Sequence, residues 1–481
     1  MNKMSDIQRA GEAAAAPCRL IFAEFNELCP WLIDRWMADG RLPNFRRMHD
    51  RSAVFETRAD VADPVHLEPW IQWYSLHTGL SFDQHRVFHL TEGAKAGHDD
   101  LWRVAHRGGR TVGSFASMNT RPFDFAGGFY VADPWSEDGN AAPAELDIYS
   151  RFVGSNVREY SNPNRRLTLG DKARFLAFML RRGLSAGTVA RIVAQLTAER
   201  LKDRRLSWRR AALLDRLQFD VFRHYQRTRR PDFSTFFINS TAHFQHSYWR
   251  HFQPEAFTVK PPAADLALYG DAILFGYQAM DALLGAFMAL AEETGAMLVF
   301  MTALSQQPYL DAEESGGRHF YRLLDVEGLF RRLDLPFANI DPTMTHQYLA
   351  TFARDADLER ARAALGGFRM ADGRVLFDFN ARTEGGLYFS CDLRSEVAPD
   401  ARIVAGSGET LRFGDLLYRI DATKSGRHHP AGALWFATGR HRRFADPVSI
   451  LDIFPTALDL MGVDRSGAEG RTGTSLVGLL R

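Results

Sequence analysis

Short apolar runs bounded by polar turns recur along this chain. Between them, apolar residues return every three or four positions. RLIFAEF (19–25), GRTVGSFAS (109–117), DFSTFFINS (232–240), AMLVFMTAL (296–304) and ALWFATG (433–439) are runs of the first kind. Runs so short and so continuously apolar predict strands buried on both faces. PWLIDRWMADG (30–40), EPWIQWYSLHTG (68–79), DAILFGYQAMDALLGAFMALAEETG (271–295) and SILDIFPTALDLMG (449–462) have helical spacing, each with a glycine at its end as a stop signal. PNFRRMHDRSAVFETRADV reads as a helix and then a strand, and another helix is expected around 99–107. The alternation predicts an α/β fold, a mostly parallel central sheet with helices on both faces.

Two segments break the alternation. Residues 161–230 hold eighteen Lys/Arg against five Asp/Glu, a local charge of +13 that leaves −12 on the other 411 residues. Long helical patterns fill them, so a basic helical insertion is expected. It is either a solvated lid or a basic face for an anionic ligand, a partner or a membrane surface. Residues 341–420 predict a small α+β insertion, with strands HQYLATFA, RVLFDFNA and GLYFSCDL around the helix DLERARAALGG. The α/β core is then 18–160, 231–340 and 421–481, with SGRHHPAG (425–432) as a loop and residues 1–17 as a disordered tail.

Composition narrows the classes. With 46% hydrophobic and 24% charged residues over 481 positions, general disorder is excluded. A net charge of +1 implies no polyanion partner. The basic segment carries no recognisable readout motif, so nucleic acid is not an expected partner. Cys18, Cys29 and Cys391 have no CxxC spacing and cannot form a disulfide framework. A reducing compartment, no signal peptide, no transmembrane segment and a cytoplasmic location are the expectations.

Five stretches resemble the alkaline phosphatase superfamily, in particular its type I phosphodiesterase / nucleotide pyrophosphatase-like branch. They are VSILDIFPTALDLMGVDRSGAEGRTGTSLVGLL (448–480), LIDRWMADGRLPNFRRM with HTGLSFDQHRVF (77–88), INSTAHFQHSYWRHFQPEAF (238–257), YQAMDALLGAFMALAEETGAMLVFMTAL (277–304) and SGRHHPAGALWFATG (425–439). The resemblance implies an alkaline-phosphatase-like fold and a hydrolase with two metal ions, usually zinc. One ion activates a Thr or Ser nucleophile, and both clamp the charge that develops in the in-line displacement.

The sequence departs from that pattern at most ligand positions. Asn26 stands at the strand-end Asp, with Glu27 beside it, and no Ser or Thr lies between Thr57 and Ser75 near the nucleophile position. Ala242 replaces a loop Asp, and Ala303-Leu304 replaces an Asp-His pair. His246 and His428 are the two metal-type residues that match.

Two chemistries fit what remains. One divalent metal, zinc or similar, could be held by Glu27, His246 and His428 with an open position for water and substrate. Alternatively the site is metal-free, and His66 is the nucleophile with Glu68 orienting its ring. Asn26 joins His66 and Glu68 as a candidate catalytic residue. The expected function is hydrolysis or transfer of a phosphate or sulfate ester. The ligand would be an anionic small molecule or a glycan or lipid phosphate ester. The alternative is a catalytically silent binding or scaffold protein, a pseudoenzyme.

Overall fold

The computed structural model describes residues 17–90, 92–136, 141–161, 168–342, 346–383, 386–391, 393–420, 424–466 and 468–481. The tail expected over 1–17 lies, except for Pro17, outside them. The predicted runs form β1 (Arg19–Phe25), β2 (Ala53–Arg58), β3 (Val112–Phe115), β6 (Phe233–Ile238) and β7 (Ala296–Met301), and two short strands that no run predicts, β4 (Phe129–Val131) and β5 (Ala141–Ala142), join them. One sheet runs in the order Arg442–Arg443, β2, Ala431–Phe436, β7, β1, β6, β3, β4, β5. The β7–β1–β6–β3–β4 stretch is parallel throughout. The Ala431–Phe436 strand runs antiparallel to both β7 and β2, and β5 is antiparallel to β4.

Continuous apolar character is explained by burial on both faces. In β1, Ile21, Ala23 and Phe25 enter one core while Leu20 and Phe22 enter the other. Helices Pro30–Ala38, Pro43–His49 and Ala272–Thr294 cover the first face. Helices Pro69–Thr78, Leu101–Arg107 and Ile453–Met461 cover the second. This is the mostly parallel, doubly covered α/β architecture that the alternation predicts. The stretch Ala263–Thr294 is long and apolar enough to cross a membrane by composition, yet Ile273, Tyr277, Leu284 and Phe287 lie in the first core.

Two expectations change. The described part of 161–230 is helical and adds no strand to the main sheet, but its last helix, Ala211–Arg229, is not peripheral. Phe219, Val221, Phe222 and Tyr225 are buried in the first core, so this helix covers the sheet ahead of β6. Arg227 and Arg229 are exposed, Arg216 and Arg223 are half-buried, and the aromatics lie inward, a division that the charge count alone does not make. The second change is in 425–432: Gly426–His429 is a strand, paired antiparallel with Ser305–Pro308. Elsewhere, Asn339–Pro342, Gln347–Thr351, Gly386–Cys391 and Phe377–Thr383 make a separate four-stranded antiparallel sheet. Helix Asp355–Gly366 accompanies that sheet.

Candidate functional site

The C-terminal ends of β1, β6 and β7 lead into one region, as expected where an open α/β sheet forms its crevice. β1 ends at Phe25 and delivers Asn26 and Glu27. β6 ends at Ile238 and leads into helix Ser240–Phe252, which carries His246. After β7 the chain turns through Ala303-Leu304 into Ser305–Pro308, whose pairing with Gly426–His429 brings in His428.

Glu27, His246 and His428 meet there. One ligand atom from each lies within 4.8 Å of the other two. Glu27 Oε2 is 3.1 Å from His246 Nε2 and 3.6 Å from His428 Nε2. The two imidazole rings are 5.1 Å apart at 81° to one another. Among the described residues this is the single such cluster of His, Cys, Asp and Glu. Glu27 is buried, whereas the His246 side chain is 27% exposed, so the cluster is open to solvent on one side.

The surroundings fix the carboxylate. Glu27 adopts φ +63°, a left-handed conformation uncommon outside glycine and found where a site holds strain. Asn26 Nδ2 donates to Glu27 Oε1 at 2.8 Å, Gln306 Nε2 donates to Oε2, and Gln245 Nε2 donates to the Glu27 carbonyl at 2.8 Å. Gln245 in turn accepts from Tyr277 Oη at 2.7 Å. The rings are also constrained. His246 Nδ1 faces the Gly426 carbonyl at 3.0 Å, an acceptor that places a proton on Nδ1, and Nε2 is turned toward Glu27 Oε2. His428 Nε2 is buried and has no hydrogen-bond partner.

Burial raises the Glu27 carboxyl, but the His428 and His246 rings and the donors His246 and Gln306 outweigh it and bring it down to about 2. Burial pushes the His428 ring down to about 3, against the pull of Glu27. The direction that stands is a Glu27 carboxyl held well below its ordinary range beside a His428 ring that burial keeps neutral. The amide donors of Asn26 and Gln306 stabilise the anion whatever the state of the imidazoles.

The three residues expected to be catalytic fare differently. Glu68 precedes helix Pro69–Thr78, and its Oε2 is 3.5 Å from His428 Nδ1. Burial, with the charge of Glu27 adding and that of Lys424 opposing, pushes its carboxyl up to about 7. Asn26 is spent on structure: besides Glu27 it donates to Asn239 Oδ1 at 2.7 Å and accepts from Trp73 Nε1 at 2.8 Å. His66 is not oriented by Glu68. Its Nδ1 lies 2.8 Å from Asp63 Oδ1, and its ring packs on Phe82 at 4.7 Å. A local Asp three residues upstream outcompetes a Glu whose backbone leads away into a helix.

Ala303 and Leu304 are fully buried in the second core, so an apolar pair fills the place of the expected Asp-His. Sequence reading missed Gln245, Trp73, Asn239 and Tyr277. Amides, a tryptophan and a tyrosine at core spacing carry no ligand signature; only the bonds of Gln245, Asn239 and Trp73 to Glu27 and Asn26, and that of Tyr277 to Gln245, reveal them.

The fold is the mostly parallel α/β sheet with helices on both faces that the sequence predicts. Among solved structures, the chain is similar to phosphonoacetate hydrolase from Sinorhizobium meliloti 1021 in complex with phosphonoformate. Identity is 14%, 94% of this chain and 98% of that one are covered, and the TM-score is 0.44. It is also similar to human ectonucleotide pyrophosphatase / phosphodiesterase 5, at 10% identity, 95% and 97% coverage and a TM-score of 0.41. No protein-family model matches the chain, and no curated protein matches it.

Proposed function

We propose that Glu27, His246 and His428 hold one divalent cation of the zinc type, and that the chain hydrolyses or transfers a phosphate or sulfate ester there. The observation that carries this reading is the convergence of one carboxylate oxygen and two imidazole nitrogens within 4.8 Å. Two nitrogens and one oxygen form a donor set that zinc takes, with a fourth position left for water or substrate. The orphaned Nε2 of His428 is an atom that such a cation would satisfy. A divalent ion would supply Lewis acidity to a non-bridging oxygen of the ester.

The remaining work falls to the chain. Asn26, Gln245 and Gln306 hold Glu27 in place, and the Gly426 carbonyl anchors the His246 ring at Nδ1. Glu68 faces His428 from the start of its helix and would help to orient that ring. The exposed edge of His246 is the side from which an anionic ester would enter.

A second reading is favoured by one specific observation. Glu27 and His246 already pair at 3.1 Å and Gln306 completes the carboxylate, so the group also makes sense as a closed polar network in a silent protein. Turnover separates the two readings. Phosphate and sulfate esters, glycan and lipid phosphates among them, are offered to zinc-loaded and chelated protein. The proposal expects hydrolysis of at least one ester that chelation abolishes, and that His428→Ala lowers by roughly 10²-fold or more. No product from any ester with zinc-loaded protein favours the silent reading. Hydrolysis indifferent to both chelation and His428→Ala contradicts the proposed site.

A further inference from the structure

Large apolar side chains left exposed are concentrated on two consecutive helices. On helix Leu169–Arg181, Phe175, Phe178 and Met179 turn inward and are buried, whereas Leu169, Leu176 and Leu180 are 85%, 54% and 66% exposed. Their spacings of seven and four place the three leucines on one stripe, opposite the buried side. On helix Ala186–Leu201, Thr188 and Glu199 are buried, while Val189, Val193 and Leu196 are exposed on one face, and Leu201 is exposed at the helix end. Isolated exposed leucines need no explanation, but leucine and valine stripes on adjacent helices do.

Charge frames these stripes. At 100° per residue, Lys172 flanks one edge of the first stripe, and Arg174 and Arg181 flank the other. From Thr168 to Arg205 there are nine Lys/Arg and three Asp/Glu, a net charge of +6. The three acids are already engaged: Asp171 caps its helix with Thr168, Glu199 pairs with Arg210 and Asp203 pairs with Arg205. Lys172, Arg181, Arg191 and Arg200 remain exposed.

The stripes contain Leu, Val and Ala and no aromatic residue, whereas protein interfaces are anchored by Trp, Tyr and Arg in desolvated pockets. A leucine stripe between basic edges is instead the pattern of a helix that lies in a membrane interface. We propose that helices Leu169–Arg181 and Ala186–Leu201 dock the protein on an anionic lipid bilayer. The leucines enter the acyl boundary, and the basic edges meet the headgroup phosphates. The inference is independent of the chemistry assigned to Glu27, His246 and His428.

The test is co-sedimentation of the full chain with vesicles of phosphatidylcholine, alone or with phosphatidylglycerol at about 30%. Partitioning onto the anionic vesicles should be roughly tenfold stronger and should weaken in high salt. The double variant L176E/L180E should lose roughly tenfold or more, and K172Q/R181Q should lose a part. These positions are exposed, so melting temperatures should stay within about a degree of the parent. Equal partitioning of parent and L176E/L180E overturns the proposal, as does equal partitioning onto the two vesicle types. It is also overturned if the lipid-free protein is a dimer that L176E/L180E dissociates, because the stripes would then cover one another in two copies of this chain.

Discussion

Asp215 ties the basic helical segment to the helix that bears His246, and its replacement by asparagine should stabilise the protein increasingly as pH rises from about 4 to about 7, and fully above that. The residue is 5% exposed on helix Ala211–Arg229 and accepts a hydrogen bond from Ser240 Oγ, at the start of helix Ser240–Phe252. Burial raises its carboxyl to about 7, against the Ser240 bond and the charge of Arg216. In the unfolded chain the group titrates near ~3.9. A carboxyl raised on folding keeps its proton in the folded state between those two values. Its contribution is therefore fully present below about pH 4 and is lost as pH rises through about 7. A shift of about three units at 1.36 kcal/mol each makes ionised Asp215 cost about 4 kcal/mol at pH 8.5.

Asn cannot ionise and keeps the shape and an acceptor for Ser240. Unfolding entropy of about 2.1 cal/mol/K per residue makes 1 kcal/mol worth about 1 °C in a chain of this length. Scanning calorimetry should therefore find Asp215→Asn melting about 3–4 °C above the parent at pH 8.5. At pH 4.5 the two should agree within about 1 °C, the scale of one altered hydrogen bond. The same difference at both pH values, or a lower melting point for the variant at pH 8.5, would refute the reasoning. It would mean that the charged form of Asp215 is the one the fold accommodates.

Three further outcomes follow from the same geometry. Trp73→Phe removes the donor to the buried Asn26 Oδ1, so the melting temperature should fall by about 1–3 °C and zinc should bind about 10–100-fold more weakly, measured by calorimetry. Unchanged zinc affinity would separate Asn26 from the support of Glu27. In Gly426→Ala, the new Cβ would lie 2.4 Å from Gln306 Oε1 and 2.5 Å from the Gln245 carbonyl, so the amides around Glu27 must shift. A competition titration should show zinc affinity reduced by about tenfold or more. Generic aryl phosphodiesters and aryl sulfates should turn over negligibly with or without zinc, because Ala303 and Leu304 leave no second ligand set to share the developing charge. Robust zinc-dependent release of nitrophenol would contradict the single-ion reading.

Much of the fold is legible in the sequence because burial on both faces leaves continuous apolar runs. RLIFAEF, DFSTFFINS and AMLVFMTAL could hardly be anything but central strands. Direction is not encoded in that way: ALWFATG looks like its neighbours, yet runs antiparallel between β7 and β2. GRHH has no strand pattern because its pairing with Ser305–Pro308 rests on backbone bonds between polar residues. Ala211–Arg229 was expected in an insertion because its charge dominates the count, while Phe219 and Phe222 do the packing. At the site, the motif spacing points to His246 and His428, and Glu27 follows from its place beside the lost Asp. The position of His66 depends on which carboxylate reaches its ring, and a loop sequence holding both Asp63 and Glu68 leaves that open. The cradle of amides around Glu27 is built from residues far apart in the chain, so nothing local announces it.

The central claim is that Glu27, His246 and His428 bind one metal ion. Its most direct measurement is the zinc stoichiometry of the full chain after equilibrium dialysis, read by elemental analysis for the parent and for Glu27→Gln and His246→Ala. The account predicts one zinc per chain in the parent and a loss of roughly tenfold or more in affinity in either variant. No retained zinc in the parent, or one zinc per chain held equally tightly by all three proteins, would contradict it.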